Sequence, residues 1–182
     1  MGIILTLTGF LGACGGEADS GKEIKLKEEG KLTFAMSGLY KPYNFKQNGR
    51  LTGFDVEIGE AIAKEMGLQS NPVTTPWETI VAGLQAGKYD AVIGSMGITE
   101  KRKKAALFTE PYYHSGTQIF IREGNREIKT AEDMKGKKIG VVKASTYKDE
   151  AMKHSKKVKE YTSDVVALQD LPHRTDRRRD HR

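Results

Sequence analysis

One cysteine, one tryptophan, five prolines and four histidines are all that this chain of 182 residues contains of those types. A single thiol, Cys14, builds no disulfide framework. His114, His154, His173 and His181 do not stand at metal-ligand spacing with Cys, Asp or Glu, so neither a metal nor another cofactor is expected. The chain has no G-x-S-x-G elbow, no P-loop and no G-x-G-x-x-G, which removes the commonest serine-hydrolase, nucleoside-triphosphatase and dinucleotide-binding readings. No catalytic residue is assigned. The apolar stretch Ile3 to Leu11 is too short to span a bilayer as a helix. With 37% hydrophobic and 30% charged residues, the composition is globular and soluble. Half of the net charge of +6 comes from Pro172 to Arg182, where no aromatic residues interleave, so nucleic acid is not an expected partner.

What is present begins with the surroundings of Cys14. An apolar segment leads into Leu11-Gly12-Ala13-Cys14, and a small, polar stretch follows from Gly15. That order resembles a bacterial lipoprotein signal, so residues 1–14 are expected to be a leader ending at a lipidated, membrane-tethered Cys14. Residues 15–30, rich in Gly, Lys and Glu, read as a flexible tether. Two features run against the pattern. No Lys or Arg precedes Lys22, and Met1-Gly2-Ile3-Ile4-Leu5-Thr6 also fits an N-myristoylation motif, which leaves Cys14 unexplained.

From Lys31 the chain alternates strands and helices. Lys31–Met36 reads as a strand, and a turn region with Pro42 and Asn48-Gly49 follows. Phe54–Leu68 is an amphipathic helix with Ile58, Ile62 and Met66 at four-residue spacing, stopped by Gly67. A second helix is expected from Thr75 as cap, with Pro76 at its first position and Glu78 closing a capping box. Ile80, Val81 and Leu84 form its buried stripe and Gly87 ends it. Ala91–Gly94 is a short buried strand, Thr99 opens a helix, and Thr117–Ile121 alternates like a strand. Thr130 to Asp133 opens one helical turn, Lys138–Val142 is a strand, and Thr146 caps a further helix. Such alternation implies an α/β fold with a mostly parallel sheet, whose ligands sit beyond the carboxyl ends of the strands. The loops that matter are therefore Ser37–Tyr43, Ser95–Thr99 and Lys143–Thr146.

Arg102 falls at the third position of the helix capped by Thr99, where the helix dipole and local capping rules favour a carboxylate or amide. A residue that breaks a local rule often serves function, and an arginine fork grips a carboxylate with two hydrogen bonds. The plainer reading is that Lys101 to Lys104 is one solvated basic face. The helix start at Thr146, with Ser145 beside it, is either an anion site or simple capping. Tyr40, Tyr43 and Trp77 either pack a ligand's apolar stem or belong to the core.

These segments converge on a family. Tyr40-Lys41-Pro42-Tyr43-Asn44-Phe45, Gly53-Phe54-Asp55-Val56-Glu57-Ile58, Trp77, Gly83 to Asp90, and Ser95-Met96-Gly97-Ile98-Thr99 through Arg102 carry the resemblance. So do Phe108 to Tyr113, Asp133, Gly136 to Val141, and Ser145-Thr146. Over roughly Lys31 to Leu171 the chain resembles the family-3 extracellular solute-binding proteins that serve ABC importers of polar amino acids. The resemblance implies a two-lobed, type II periplasmic-binding-protein-like clamp, with lobe one at 31–116 and a partial lobe two at 117–171. It implies a polar amino acid or similar zwitterion as ligand, an ABC permease as partner and an extracytoplasmic, lipid-anchored location. Arg102 and the amide of Thr146 would hold the α-carboxylate, with Ser145 beside them. Tyr40 and Trp77 would sandwich the side chain. Ser95 and Gly97, flanking Met96, would offer a backbone carbonyl and amide, and Ser37 would sit where some members place a side-chain-reading acid. Lys101, Val142 and Ala144 depart from the family pattern. Beyond Leu171 the pattern dissolves, so residues 172–182 read as an aberrant basic tail of a truncated or frameshifted product. Such a product is expected to bind poorly, because the acidic segment for the ligand's ammonium is missing. The alternatives are a dehydratase-like cleft enzyme of the same fold, for which the sequence offers no clear titratable group beside Arg102, and a non-functional truncated product; a ligand-gated sensory domain would need a transmembrane helix or signalling module that the sequence does not offer.

Overall fold

The computed structural model describes residues 25–171. Cys14 and residues 172–182 lie outside them, as does most of the expected tether. The first sheet is built on β1 (Lys31–Met36), in which Leu32 to Met36 are all buried. β1 pairs in parallel with β5 (Gln69–Thr74) on one side and with β6 (Ala91–Val92) on the other. A central parallel strand covered on both faces reads as a largely apolar run, which Leu32 to Met36 supply with Thr33 the one polar residue among them.

The two-residue period of the strand divides its side chains between two cores. Leu32, Phe34 and Met36 meet Val56 and Ala63 of α1 (Phe54–Glu65), while Ala35 meets Ile80 of α2 (Ile80–Gln85) and Tyr89. Burying each large apolar side chain of β1 contributes about 1.5–3 kcal/mol. Lys27 and Glu28, inside the segment expected to be a tether, are bonded to the first unit. Lys27 N donates to Asp90 Oδ1 at 2.6 Å, and Asn71 Nδ2 donates to Glu28 Oε1 at 3.1 Å.

Between β1 and α1 the chain makes an antiparallel meander of β2 (Leu39–Tyr40), β3 (Asn44–Gln47) and β4 (Arg50–Thr52), where only a turn region was expected. Asn48 (φ 51°) and Gly49 (φ 77°) form its two-residue loop, with Gln47 paired to Arg50. Positive φ at both loop residues matches the twist of the flanking strands, which is why Asn-Gly serves there. Gly53 then stands at the cap position of α1 with φ 116°, and a Cβ on it would run into the carbonyls of Pro42 and Tyr43.

Several local expectations change. α1 ends at Glu65, and its buried face is Asp55, Val56, Gly59 and Ala63, while Ile62 and Met66 are about 40% exposed. The reason is steric: a Cβ at Gly59 would overlap the Phe34 ring, so the helix meets β1 through Gly59 and Ala63, with Val56 and the partly buried Ile58 beside them, while Ile62 and Met66 fall off that face. The expected Thr75 cap is not formed. A 3-10 turn at Trp77–Thr79 precedes α2, and its cap position is Pro76, without a side-chain bond. Thr75 N donates instead to Met36 O, which keeps this residue with the sheet. Thr117–Ile121 forms no ladder among the described residues, and Ile119, Phe120 and Ile121 stay exposed. Strand propensity is realised only against a partner strand, and none of the described strands runs beside this segment.

The second unit pairs β7 (Ile139–Val142) with β8 (Val158–Tyr161) in parallel. A 3-10 turn at Glu132–Met134 precedes the pair, and α4 (Thr146–His154) and α5 (Asp164–Asp170) pack on it. Neither β8 nor the start of α5 was anticipated. In α4 the cap position belongs to Ser145, so Thr146 is the first helical residue; the Ser145 hydroxyl donates to Val142 O at 2.6 Å. No helix among the described residues is long and apolar enough to cross a membrane.

Candidate functional site

The carboxyl ends of β1, β6 and β7 open toward one cavity of about 900 Å³. Ser37, Tyr40, Trp77, Ser95, Met96, Gly97 and Arg102 line it from the first unit, and Ser145 and Thr146 from the second. The tertiary structure therefore brings these nine residues around one space, while Tyr43, singled out with Tyr40 and Trp77, is not in the lining.

Arg102 is held from both ends. Its backbone N–H donates to the Thr99 hydroxyl at 3.1 Å, the cap of the short helix α3 (Glu100–Lys103). Its guanidinium donates through Nη1 to Gly97 O at 2.8 Å and through Nη2 to Ala144 O at 3.1 Å, and it lies 5.7 Å over the Trp77 ring. Gly97 is on the loop after β6 and Ala144 on the loop after β7, so one side chain links the two units. Burial lowers the Arg102 pKa below the ordinary arginine value, and the charge of Asp149 opposes that shift. No carboxylate lies at ion-pair distance from Arg102 among the described residues. A half-buried cation solvated only by carbonyls retains the capacity to take an anion. The start of α4 stands next to it: a Cβ on Gly97 would lie 3.7 Å from both Arg102 Nη1 and Thr146 Cγ2.

The aromatic wall is a stack. Tyr40 lies on Tyr43 with centroids 4.9 Å apart, and Tyr43 lies on Tyr113 at 5.4 Å. One face of Tyr40 is thus covered by a neighbour while the ring still lines the cavity. Burial, followed by the nearby Tyr147 hydroxyl, raises the Tyr40 pKa. Ser37 is committed to the loop geometry. Its hydroxyl donates to Asn44 Oδ1 at 2.9 Å and accepts from Leu39 N at 3.2 Å.

A buried network behind the site escaped sequence reasoning. Asp55 has no exposed surface and accepts from Asn44 Nδ2 at 2.5 Å, from Ser95 Oγ at 2.8 Å and from the Tyr112 hydroxyl at 2.7 Å. Tyr112 in turn accepts from Ser95 N at 2.7 Å. These bonds hold Ser95 at φ 54°, a left-handed conformation that a serine seldom adopts unaided. An acid in the first turn of a helix satisfies the helix dipole, so Asp55 looked ordinary in the sequence. Asp164 was missed as well; it lines the same cavity from the start of α5.

Comparison with known proteins agrees with this architecture. The chain is 37% identical over 158 residues to the L-cystine-binding protein TcyJ of Escherichia coli strain K12, which covers 85% of this chain and 59% of that protein. Among solved structures, an ancestral arginine-binding protein bound to arginine superposes with a TM-score of 0.75 at 39% identity, covering 78% of this chain and 65% of that one. An ancestral amino-acid-binding protein described as a precursor of cyclohexadienyl dehydratase matches with a TM-score of 0.73 at 34% identity, covering 79% and 68%. The chain thus spans somewhat under two thirds of the length of the first two of these relatives. The model of the bacterial extracellular solute-binding proteins, family 3, matches residues 32–171, and the fold is the α/β, type II periplasmic-binding-protein-like architecture of these structures; the chain belongs to that family.

Proposed function

We propose that this chain is the extracytoplasmic substrate-binding component of a polar amino-acid ABC importer, and that Arg102 holds the ligand's α-carboxylate. The observation that carries the reading is the position of the guanidinium. It is half-buried, fixed by the Gly97 and Ala144 carbonyls and backed by Trp77, at the entrance of α4. A carboxylate arriving there meets a planar fork and the first N–H groups of a helix, two donors of matching sign. In this reading Thr146 and Ser145 complete the carboxylate site, and Tyr40 and Trp77 flank the ligand's stem. The Ser95 carbonyl and the Gly97 amide face its polar head, with Met96 between them and Ser37 at the rim. The relatives named for binding cystine or arginine support an amino acid as the ligand class. We read the protein as a binder that returns its ligand unchanged, delivers it to an ABC permease and is tethered through lipid on Cys14.

Titration calorimetry of the chain with a panel of polar amino acids tests the proposal. Weak but saturable binding is expected, and Arg102→Ala should weaken it further, by about 2–5 kcal/mol, as loss of one partner of a buried charge pair does. Arg102→Lys should also weaken it, because the two-pronged contact is lost. Unchanged affinity in Arg102→Ala would remove the carboxylate assignment. Turnover of the bound amino acid would favour the dehydratase-like alternative.

A further inference from the structure

Ser95 lines the cavity with three polar groups, and two of them are turned the other way. Its N–H donates to the Tyr112 hydroxyl at 2.7 Å. Its own hydroxyl donates to the Asp55 carboxylate, 2.8 Å from Oδ1 and 2.9 Å from Oδ2. The Tyr112 hydroxyl donates in turn to Asp55 Oδ1 at 2.7 Å, so three residues close a ring of hydrogen bonds. The Ser95 carbonyl is left over. Among the described residues no backbone donor is bonded to it.

The ring holds Ser95 at φ 54°, which glycine adopts freely and serine does not. Such a conformation persists only where the surroundings over-determine it. The loop is pinned again two residues on, where Gly97 O accepts from Arg102 Nη1 at 2.8 Å. A shift at Ser95 would therefore turn its carbonyl and loosen one of the two carbonyls that fix the guanidinium. The hydroxyl of Tyr112 is not needed to seat its ring, which already packs on Phe54 at 6.0 Å and on Tyr113 at 5.4 Å. Asp55 is fully buried, and its hydrogen-bond donors Asn44, Ser95 and Tyr112 are neutral. Apolar groups of the same shape could fill such a space with nearly equal stability. What the polar ring adds is a direction for the backbone of Ser95.

We infer that Asp55 and Tyr112 are positioning residues of the binding site: they hold Ser95 in its left-handed conformation, so that its carbonyl meets the polar head of the ligand and the loop keeps Arg102 in place. The inference rests on the proposed amino-acid reading and names what stands behind its carboxylate and ammonium contacts. Both residues act through Ser95 on the part that all amino acids share.

Titrations of L-arginine, L-glutamine and L-histidine, followed by the ligands' NMR signals so that weak binding is read, test this on the full chain. They are run at a temperature where thermal melting shows each variant folded. Tyr112→Phe should lower the affinity of every amino acid that binds the wild type by about tenfold, the usual effect of losing one well-placed hydrogen bond. Asp55→Asn, which keeps the side chain's shape, should act in the same direction. The decisive variant is Tyr112→Phe combined with Ser95→Gly. Glycine takes a positive φ without support, so the pair should recover about threefold or more of the lost affinity while its melting temperature stays no higher than that of Tyr112→Phe. Affinity within about twofold of wild type in both Tyr112→Phe and Asp55→Asn would overturn the inference. A loss that Ser95→Gly does not recover would overturn it too, since it would reflect a general softening of the first unit. Either result, with binding still lost in Arg102→Ala, leaves the amino-acid reading standing. Failure of the wild type to bind any of the three would overturn both.

Discussion

Tyr112 and Gly59 show how much single residues carry here. The Tyr112 hydroxyl sits between a buried carboxylate and a backbone amide, donating to Asp55 and accepting from Ser95. Burial, and then Asp55, raise its pKa, so it stays a neutral donor across the whole working range. Tyr112→Phe would leave the amide of Ser95 without its partner and take one of two donors from Asp55 Oδ1, which keeps the Ser95 hydroxyl. The expected loss is about 1–3 kcal/mol of stability, the usual penalty for an unsatisfied buried polar group. Denaturant unfolding measures it, and a loss below a few tenths would show that solvent replaces the hydroxyl. Gly59 faces the Phe34 ring in the centre of the first core, and a methyl group there has no room. Gly59→Ala improves helix propensity yet should still destabilise by about 1–3 kcal/mol through overpacking. A more stable variant would mean that α1 can slide on β1.

Among the elements, the meander and the 3-10 turn before β7 have the clearest local logic. Gly49→Ala in the β3–β4 loop forces a side chain into the left-handed region, at a cost of about 1–2 kcal/mol. The loss should be visible in the same unfolding experiment, with little change in ligand affinity, because the loop is remote from the cavity lining. At the 3-10 turn, Asp133 Oδ2 accepts from Lys129 N at 3.0 Å and from Thr130 N at 2.9 Å. Those N–H bonds hold its carboxyl below the ordinary value of 3.8. A lowered carboxyl contributes stability that is present above the unfolded-state value and is lost as pH falls through the folded-state value. The stability gap between wild type and Asp133→Asn should therefore be open at neutral pH and close as pH drops below 3.8. A gap that persists in acid would show that the carboxylate's charge is not what matters.

For the whole molecule, protection from exchange should follow burial and pairing. β1 is covered on both faces and paired on both edges, so its amides should exchange only on global unfolding. Residues 117–121 have no ladder among the described residues and carry exposed apolar side chains, so their amides should exchange fastest among the apolar segments. Protection at 117–121 equal to that of β1 would show that the alternating pattern there does find a strand. The two units meet through Arg102 on Ala144 and through α5 against β2. Both contacts border the cavity, so a ligand held by both units should raise the melting temperature with its concentration, as any native-state ligand does.

Much of this was legible along the chain because it is enforced locally. β1 announces itself as a short, largely apolar run, the stop of α1 is a glycine, and Asn48-Gly49 specifies its own turn. Arg102 drew attention by standing where the helix end prefers an anion, and the spacing of motifs from Tyr40 to Thr146 identified the family. Other features depend on which partner lies opposite. Whether Thr117–Ile121 becomes a strand depends on a neighbouring edge, and the buried face of α1 follows the shape of Phe34 more than the apolar period of the helix. Asp55 is an ordinary first-turn acid by local rules, and Asp164 belongs to a helix start that the local pattern did not signal. Only the packed structure turns one into the hub of a buried network and brings the other to the wall of the cavity, because burial and opposing charge are properties of neighbours distant in the chain.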